Sequence, residues 1–404
     1  MCNCRFFECR ARIHALEIER HRPHTLSTAV LDGKLNLGQL ATMATVTGLL
    51  LALAWTGDCV SLLRHGHSHL APRAESTDCS LYQVSGQSAT PFENYRFLDF
   101  RSLSNYTPSE PAVITSGQDS GEEAVTSPYF NSSTFEDVFQ VLSGVRNPDS
   151  TPPMIYSAQN AYISAAESAD GSDTYLTFRT SRNTDFQSIA QMRSVEDVLH
   201  SSLRICMKVL EDSNDTVAAG AVVGFFTYRS DTQETDIEIL TKRSQHQFQV
   251  TNQQASSTEP AATSNVSLAT GKNWTDWAEY RVDWLQGKTI WYIDDVLAYQ
   301  TTNSVPTEAS AVDLNLWSDG GSFSGNMTVG AQVRIAVQYI EMAYNTTNDS
   351  PSGGKATRCN IDGVETKGEP QVVETSGAVV TTCIASSTFF FGLVVSLLYV
   401  LIDL

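Results

Sequence analysis

The stretch 231-DTQETDIEIL-240 sets Glu234, Asp236 and Glu238 at every second position of a short run otherwise fit for a β-strand. In a strand, residues i, i+2 and i+4 point to one face. The three carboxylates therefore share a face, and Thr235, Ile237 and Ile239 take the other. Three like charges in a row are unfavourable there, and Asp and Glu are poor strand formers. One reading is the solvated face of an edge strand. The other is a chemistry that needs closely set carboxyl groups. Retaining glycoside hydrolysis is such a chemistry, with a nucleophile and an acid/base about 5–5.5 Å apart. Cα atoms four residues apart in a strand lie about 13 Å from one another. Two inward-leaning glutamates close most of that gap, which shorter aspartates do less easily. Asp236, between them, is placed to hydrogen-bond the nucleophile and to modulate the acid/base, because adjacent like charges push ionisations apart.

A strand of this kind needs neighbours to carry it. Short apolar-alternating runs recur at 174-TYLTFRT-180, 203-LRICMKVL-210, 221-AVVGFFTY-228, 236-DIEIL-240, 246-HQFQVTN-252, 279-EYRVDW-284, 289-TIWYID-294, 312-VDLNLW-317 and 333-VRIAVQYIEMAY-344. Gly, Asn, Asp and Ser clusters separate them, which predicts strands joined by turns. The last run is long enough for a helix, but its β-branched and aromatic content favours strand. No long helical period interrupts the series. The pattern predicts an all-β domain over 79–348, a sandwich or barrel. Residues 79–150 offer no motif.

The residues around the acids resemble those of family-16 glycoside hydrolases. Glu234-x-Asp236-x-Glu238 is similar to that family's signature in its uninserted form. The stretch 224-GFFTYRSDTQETDIEIL-240 resembles the family's aromatic strand, loop and catalytic strand. The stretch 277-WAEYRVDWLQGKTIWYIDDVLAY-299 resembles its next hairpin, and 313-DLNLWSDGGSFSG-325 its substrate-lining Asn-x-Trp segment. The likeness covers about residues 150–345, and is closest to fungal, cell-wall-directed members. It implies a two-sheet β-jelly-roll sandwich, concanavalin A-like, with a concave sugar-binding cleft. It also implies Glu234 as nucleophile, Asp236 as the assisting carboxylate and Glu238 as general acid/base. Phe226 and Tyr228, then Asn315 and Trp317, match positions that line the cleft. Sugar rings pack their apolar faces on aromatic rings and need directional partners for their hydroxyls. Trp284 and Trp291 match hairpin positions; Trp291 reads as core, and Trp284 as core or substrate-binding. Gln247 and Gln249, on the strand after the acids, are placed to reach sugar hydroxyls. Thr235 stands where many relatives carry an aliphatic residue, on the face away from the acids.

The chain has 404 residues and 26 basic against 45 acidic side chains, a net charge of −19. Such a balance repels phosphate backbones and argues against nucleic acid as a partner. The run 43-MATVTGLLLALAWTG-57 reads as a signal-peptide core (43–60), with Met43 as the natural start, or else as a signal anchor. That makes 1–42 a doubtful extension and 61–78 a linker. His65, His67 and His69 alternate in that linker without an accompanying ligand pattern and read as solvated residues. The C-terminal stretch 379–404 is apolar almost to its end and follows small residues, as a glycolipid (GPI) anchor signal or a transmembrane tail does. Residues 349–378 read as a Ser/Thr/Gly-rich stalk. Eight Asn-x-Ser/Thr sequons, at Asn105, Asn131, Asn214, Asn265, Asn273, Asn326, Asn345 and Asn348, fit passage through the secretory pathway.

Three cysteines remain in the mature region. A Cys79–Cys359 disulfide would tie the ends of the domain together, leaving Cys206 as a buried core thiol. No cofactor is expected. Calcium on the convex face occurs in some relatives, but no ligands are identifiable here. The expectation is a monomeric, extracellular, surface- or wall-attached glycosidase, anchored to the membrane by its tail, with β-glucan as substrate. The alternatives are a transglycosylase joining glucan to glucan or chitin chains, a catalytically silent lectin-like protein, and a structural wall protein.

Overall fold

A computed structural model describes residues 79–375, apart from 87–90, 117–123, 167–170, 257 and 350–355. The expected N-terminal extension, signal segment, linker with His65, His67 and His69, and apolar tail lie outside the described residues.

All nine apolar-alternating runs are strands. The front sheet is antiparallel and has seven strands, in the order Phe139–Val141, Gln187–Ser194, Ala311–Trp317, Val222–Ser230, Gln233–Leu240, Gln247–Asn252 and Ala262–Ser267. The back sheet runs Val296–Thr301, Lys288–Ile293, Ala278–Leu285, Ser201–Leu210 and Gln332–Tyr344. The long last strand is then shared by Asn94–Asp99 and Thr174–Arg182, and Ala161–Ala165 follows. Strands 174–182 and 187–194 form a hairpin that links the two sheets. The single α-helix among the described residues is one turn, Ser133–Glu136. The architecture is an all-β sandwich of the jelly-roll type.

The two-residue period decides which side chains enter the core. Val223, Phe225, Ile237, Ile239, Phe248, Val250, Leu314 and Leu316 of the front sheet pack against Leu203, Ile205, Val282, Trp291, Ile335 and Val337 of the back. Each fully buried aliphatic side chain of this kind contributes about 1.5–3 kcal/mol. Burying Ile237 and Ile239 on one face leaves Glu234, Asp236 and Glu238 no choice but the other.

The expected stalk is corrected in part. Thr357–Asn360 pairs with Leu81–Gln83 and with Gln371–Thr375, making a three-stranded sheet that continues the domain beyond residue 348. Two anchors hold it. Cys79 and Cys359 form a disulfide, with Cα atoms 5.7 Å apart. Asp362 accepts from Arg204, through Nη2 at 2.9 Å and through Nη1. The Arg204 charge is fully buried and must be paired. Ser/Thr/Gly composition describes the segment's surface but conceals these two contacts. Cys206 is free and buried, and burial pushes its thiol up to about 12.

Six of the sequon asparagines, Asn105, Asn131, Asn214, Asn265, Asn326 and Asn348, are exposed, whereas Asn273 and Asn345 are half-buried.

Candidate active site

The acids sit near the middle of the front sheet, where register fixes their neighbours. Glu234 lies opposite Tyr228, Asp236 opposite Phe226 and Glu238 opposite Gly224. On the other side Asp236 faces Thr251 and Glu238 faces Gln249. One strand further, Asn315 pairs with Gly224 and Asp313 with Phe226. Directly paired residues share a face. Phe226, Tyr228, Gln249, Asn315 and Trp317 therefore all stand on the acid face.

Asp236 is 3 % exposed, and its Oδ2 accepts from Gln253 Nε2 at 3.0 Å. Burial, and then the charge of Glu234, hold its carboxyl well above the usual range. It shares a side-chain hydrogen bond with Glu234. Two carboxyl groups can do so only with a proton between them. Asp236 is thus built to keep a proton and offer it to Glu234. Glu238 Oε2 accepts from Gln249 Nε2 at 3.0 Å. Burial, and then the nearby Asp236, push Glu238 up to about 8, against the opposing pull of Gln249 and Arg243. The face therefore presents Glu234 held by a carboxyl donor and, beyond Asp236 on the same strand, Glu238 pushed toward its protonated form.

The backbone under the acids is pinned from below. Trp291 Nε1 donates to the carbonyl of Asp236 at 3.0 Å, from the back sheet through the core. Thr235, fully buried, donates to Asn252 Oδ1 at 2.7 Å, so its hydroxyl is satisfied on the face away from the acids.

Trp284 is corrected. It is fully buried, its indole donates to the Pro306 carbonyl at 2.8 Å, and it belongs to the core. Its strand alternates Tyr280, Val282 and Trp284 inward with Glu279, Arg281 and Asp283 outward, so the tryptophan follows the apolar set. Gln247 shares the acid-side face of its strand with Gln249, but it makes none of the described side-chain hydrogen bonds to the acids.

Residues that the sequence reading did not name complete the face around Asn315 and Trp317. Asp313 is fully buried beside Phe226. Arg193 pairs with it through Nε at 3.0 Å and Nη2 at 2.9 Å, and Gln191 donates to it at 2.6 Å. Tyr156 donates to Gln191 at 2.9 Å. Trp317 stacks on Phe323 with centroids 6.4 Å apart, and the Arg146 guanidinium lies 5.5 Å from the Trp317 ring. Asn315 Oδ1 is a buried acceptor that makes none of the described hydrogen bonds. Asp313 was recoverable from its two-residue spacing to Asn315 and Trp317. Gln253 was recoverable from its spacing to Gln249. Arg146, Tyr156 and Gln191 come from segments without an apolar period. Among the described residues, no group of three or more His, Cys, Asp or Glu is arranged to hold a metal ion.

Comparison with known proteins finds likeness to one family. The family described as glycosyl hydrolases family 16 matches residues 156–339, a segment that contains all three acids. The Beta-glucanase of Bacillus subtilis (strain 168) is 28% identical over 135 residues, 32% of this chain and 51% of that protein. The chain thus spans about half the length of this curated relative. Among solved structures, the Bacillus licheniformis beta-glucanase has a TM-score of 0.41 at 19% identity, covering 51% of this chain and 92% of that one. The endo-beta-1,3-glucanase from Pyrococcus furiosus has a TM-score of 0.41 at 15% identity, covering 52% and 89%. The match places the segment 156–339, which contains all three acids, in family 16 of the glycosyl hydrolases.

Proposed function

We propose that the protein is a retaining glycosidase of β-glucan. The observation that carries this reading is three carboxyl groups on one face of one strand, with Asp236 hydrogen-bonded to Glu234, and with burial pushing both Asp236 and Glu238 above the usual carboxylate range. Glu234, ionised, attacks the anomeric carbon. The glycosidic C–O bond breaks as Glu238 gives its proton to the leaving oxygen, and a glycosyl ester forms on Glu234. Asp236 donates a hydrogen bond to Glu234 and steadies the carboxylate when it leaves again. In the second step Glu238, now ionised, takes a proton from the acceptor hydroxyl, whose oxygen attacks the anomeric carbon and frees Glu234. Water as acceptor gives hydrolysis; a sugar hydroxyl gives transglycosylation. Phe226, Tyr228 and Trp317 supply stacking surfaces, and Asn315, Gln249 and Gln253 supply polar contacts. We further propose a secreted, glycosylated protein at a fungal cell surface, anchored by its C-terminal tail. The sequons and the two apolar terminal stretches support this setting.

The test is incubation with β-1,3-, β-1,4- and mixed-linkage glucans, with and without labelled glucan or chitin oligosaccharides, beside Glu234→Gln. Shortened products that vanish in the variant are expected. Labelled long chains would make it a transglycosylase. Glucan binding without any product, in both proteins, would replace the reading with a lectin-like one.

A further inference from the structure

Glu238 is held by a glutamine amide, and an amide can face either way. Its NH2 stabilises an ionised carboxylate, whereas its oxygen accepts from a protonated one. Something must decide which end of Gln249 meets the acid. Arg243 follows the catalytic strand, in the turn before Gln247–Asn252. Its Nη1 donates to Gln249 Oε1 at 2.7 Å and to Asn265 Oδ1 at 2.6 Å. Guanidinium groups only donate. Both amide oxygens are therefore compelled to face Arg243, and the NH2 of Gln249 is compelled to face Glu238, where it lies 3.0 Å from Oε2. Register makes the line continuous across three strands, because Glu238 pairs with Gln249 and Gln249 with Asn265.

We propose that Arg243 is a positioning residue for the acid/base: it locks the Gln249 amide so that its NH2, never its oxygen, meets Glu238. The assignment rests on the reading of Glu238 as acid/base. The lock holds down the proton affinity of a buried acid that would otherwise grip its proton too firmly to release it in the first step. The other groups facing Glu238 do not substitute for it. Asp236, on the same strand, acts in the opposite direction. From the neighbouring strand comes Gly224, with no side chain, and Asn315 beyond it. Arg243 is itself exposed, so solvent screens its bare charge. Its action passes mainly through the amide.

The test is the titration of Glu238 in the full chain, produced without glycosylation so that Asn265 is unmodified. The probe is carbon-13 carboxyl NMR on glutamate-labelled protein, with the resonance assigned by Glu238→Gln. The wild-type midpoint is expected near 8, and Arg243→Leu is expected to raise it by about half a unit. Gln249→Leu, which removes the amide altogether, is expected to raise it as well. Arg243→Lys, keeping charge and donors, restores part of the shift. Asn265→Ala leaves the Gln249 contact intact and the midpoint unmoved. A merely structural role for Arg243 would change thermal stability and leave the midpoint where it was. An unchanged or lowered midpoint in Arg243→Leu overturns the proposal. The alkaline limb of kcat/KM on β-glucan moves upward by the same amount. If the midpoint moves while neither protein cleaves glucan, the positioning role stands and the glycosidase reading falls.

Discussion

At the scale of single residues, the face owes its chemistry to carboxyl groups that water cannot reach equally. Glu238 carries the clearest consequence. Its folded-state value, about 8, lies above its ordinary 4.5. Folding therefore favours its protonated form. The stability that this contributes is fully present below about pH 4.5 and is lost as pH rises toward 8. Glu238→Gln removes the linkage. Its melting temperature is expected to exceed that of the wild type above pH 8 and to approach it below pH 4.5, as read by calorimetry across that range. A pH-independent difference between the two would contradict the assignment. Residue types and spacing made the triad legible in sequence, since only alternation was needed to put three acids on one face. The protons were not legible, because they depend on burial by strands distant in the chain.

At the scale of elements, the strand that carries the acids is held from both faces. On the acid face, Gly224 leaves room between Glu238 and Asn315; a Cβ there would lie 2.6 Å from Asn315 Oδ1. Gly224→Ala is expected to displace Asn315 and cost about 1–3 kcal/mol, with KM for glucan rising more than kcat falls. Steady-state kinetics beside chemical denaturation separate the two effects. On the core face, Trp291→Phe deletes the donor to the Asp236 carbonyl and leaves a buried acceptor unpaired. The expected loss is about 1–3 kcal/mol, measured by urea unfolding, together with a fall in activity that the distant position of Trp291 would not otherwise explain. The nine strands with clean alternation could be read from sequence. Strand 187–194, QSIAQMRS, could not, because it buries Gln187, Ser188, Gln191 and Ser194 beside its apolar residues. Such polarity looks like a loop until Asp313 and Thr180 are there to bond it. Trp284 stands open between core and substrate on its motif alone, although its alternation with Tyr280 and Val282 already places it inside.

At the scale of the whole molecule, the ends of the domain are tied together. The Cys79–Cys359 disulfide closes a separation of 280 residues and fastens the small sheet beside Arg204 and Asp362. Cys79→Ser/Cys359→Ser is expected to lose about 2–5 kcal/mol by denaturant unfolding. Activity at low temperature is expected to persist, because the acids lie on the front sheet. Equal stability of the double variant and the wild type would show that the small sheet holds without its bridge. The disulfide could be chosen from three cysteines in the sequence. The fold of residues 357–375 could not, because the partners that order it, Arg204 and the strand Leu81–Gln83, lie more than a hundred residues away.

The most direct measurement is to trap the glycosyl ester. The protein is incubated with a 2-deoxy-2-fluoro β-gluco-oligosaccharide bearing a dinitrophenyl leaving group, digested, and its peptides weighed. One 2-fluoro-oligosaccharyl group, with dinitrophenolate released, is expected on the peptide containing Glu234 and absent in Glu234→Gln. A label on Glu238 or elsewhere, or turnover of β-glucan with inversion at the anomeric carbon, would contradict Glu234 as the nucleophile of a retaining enzyme.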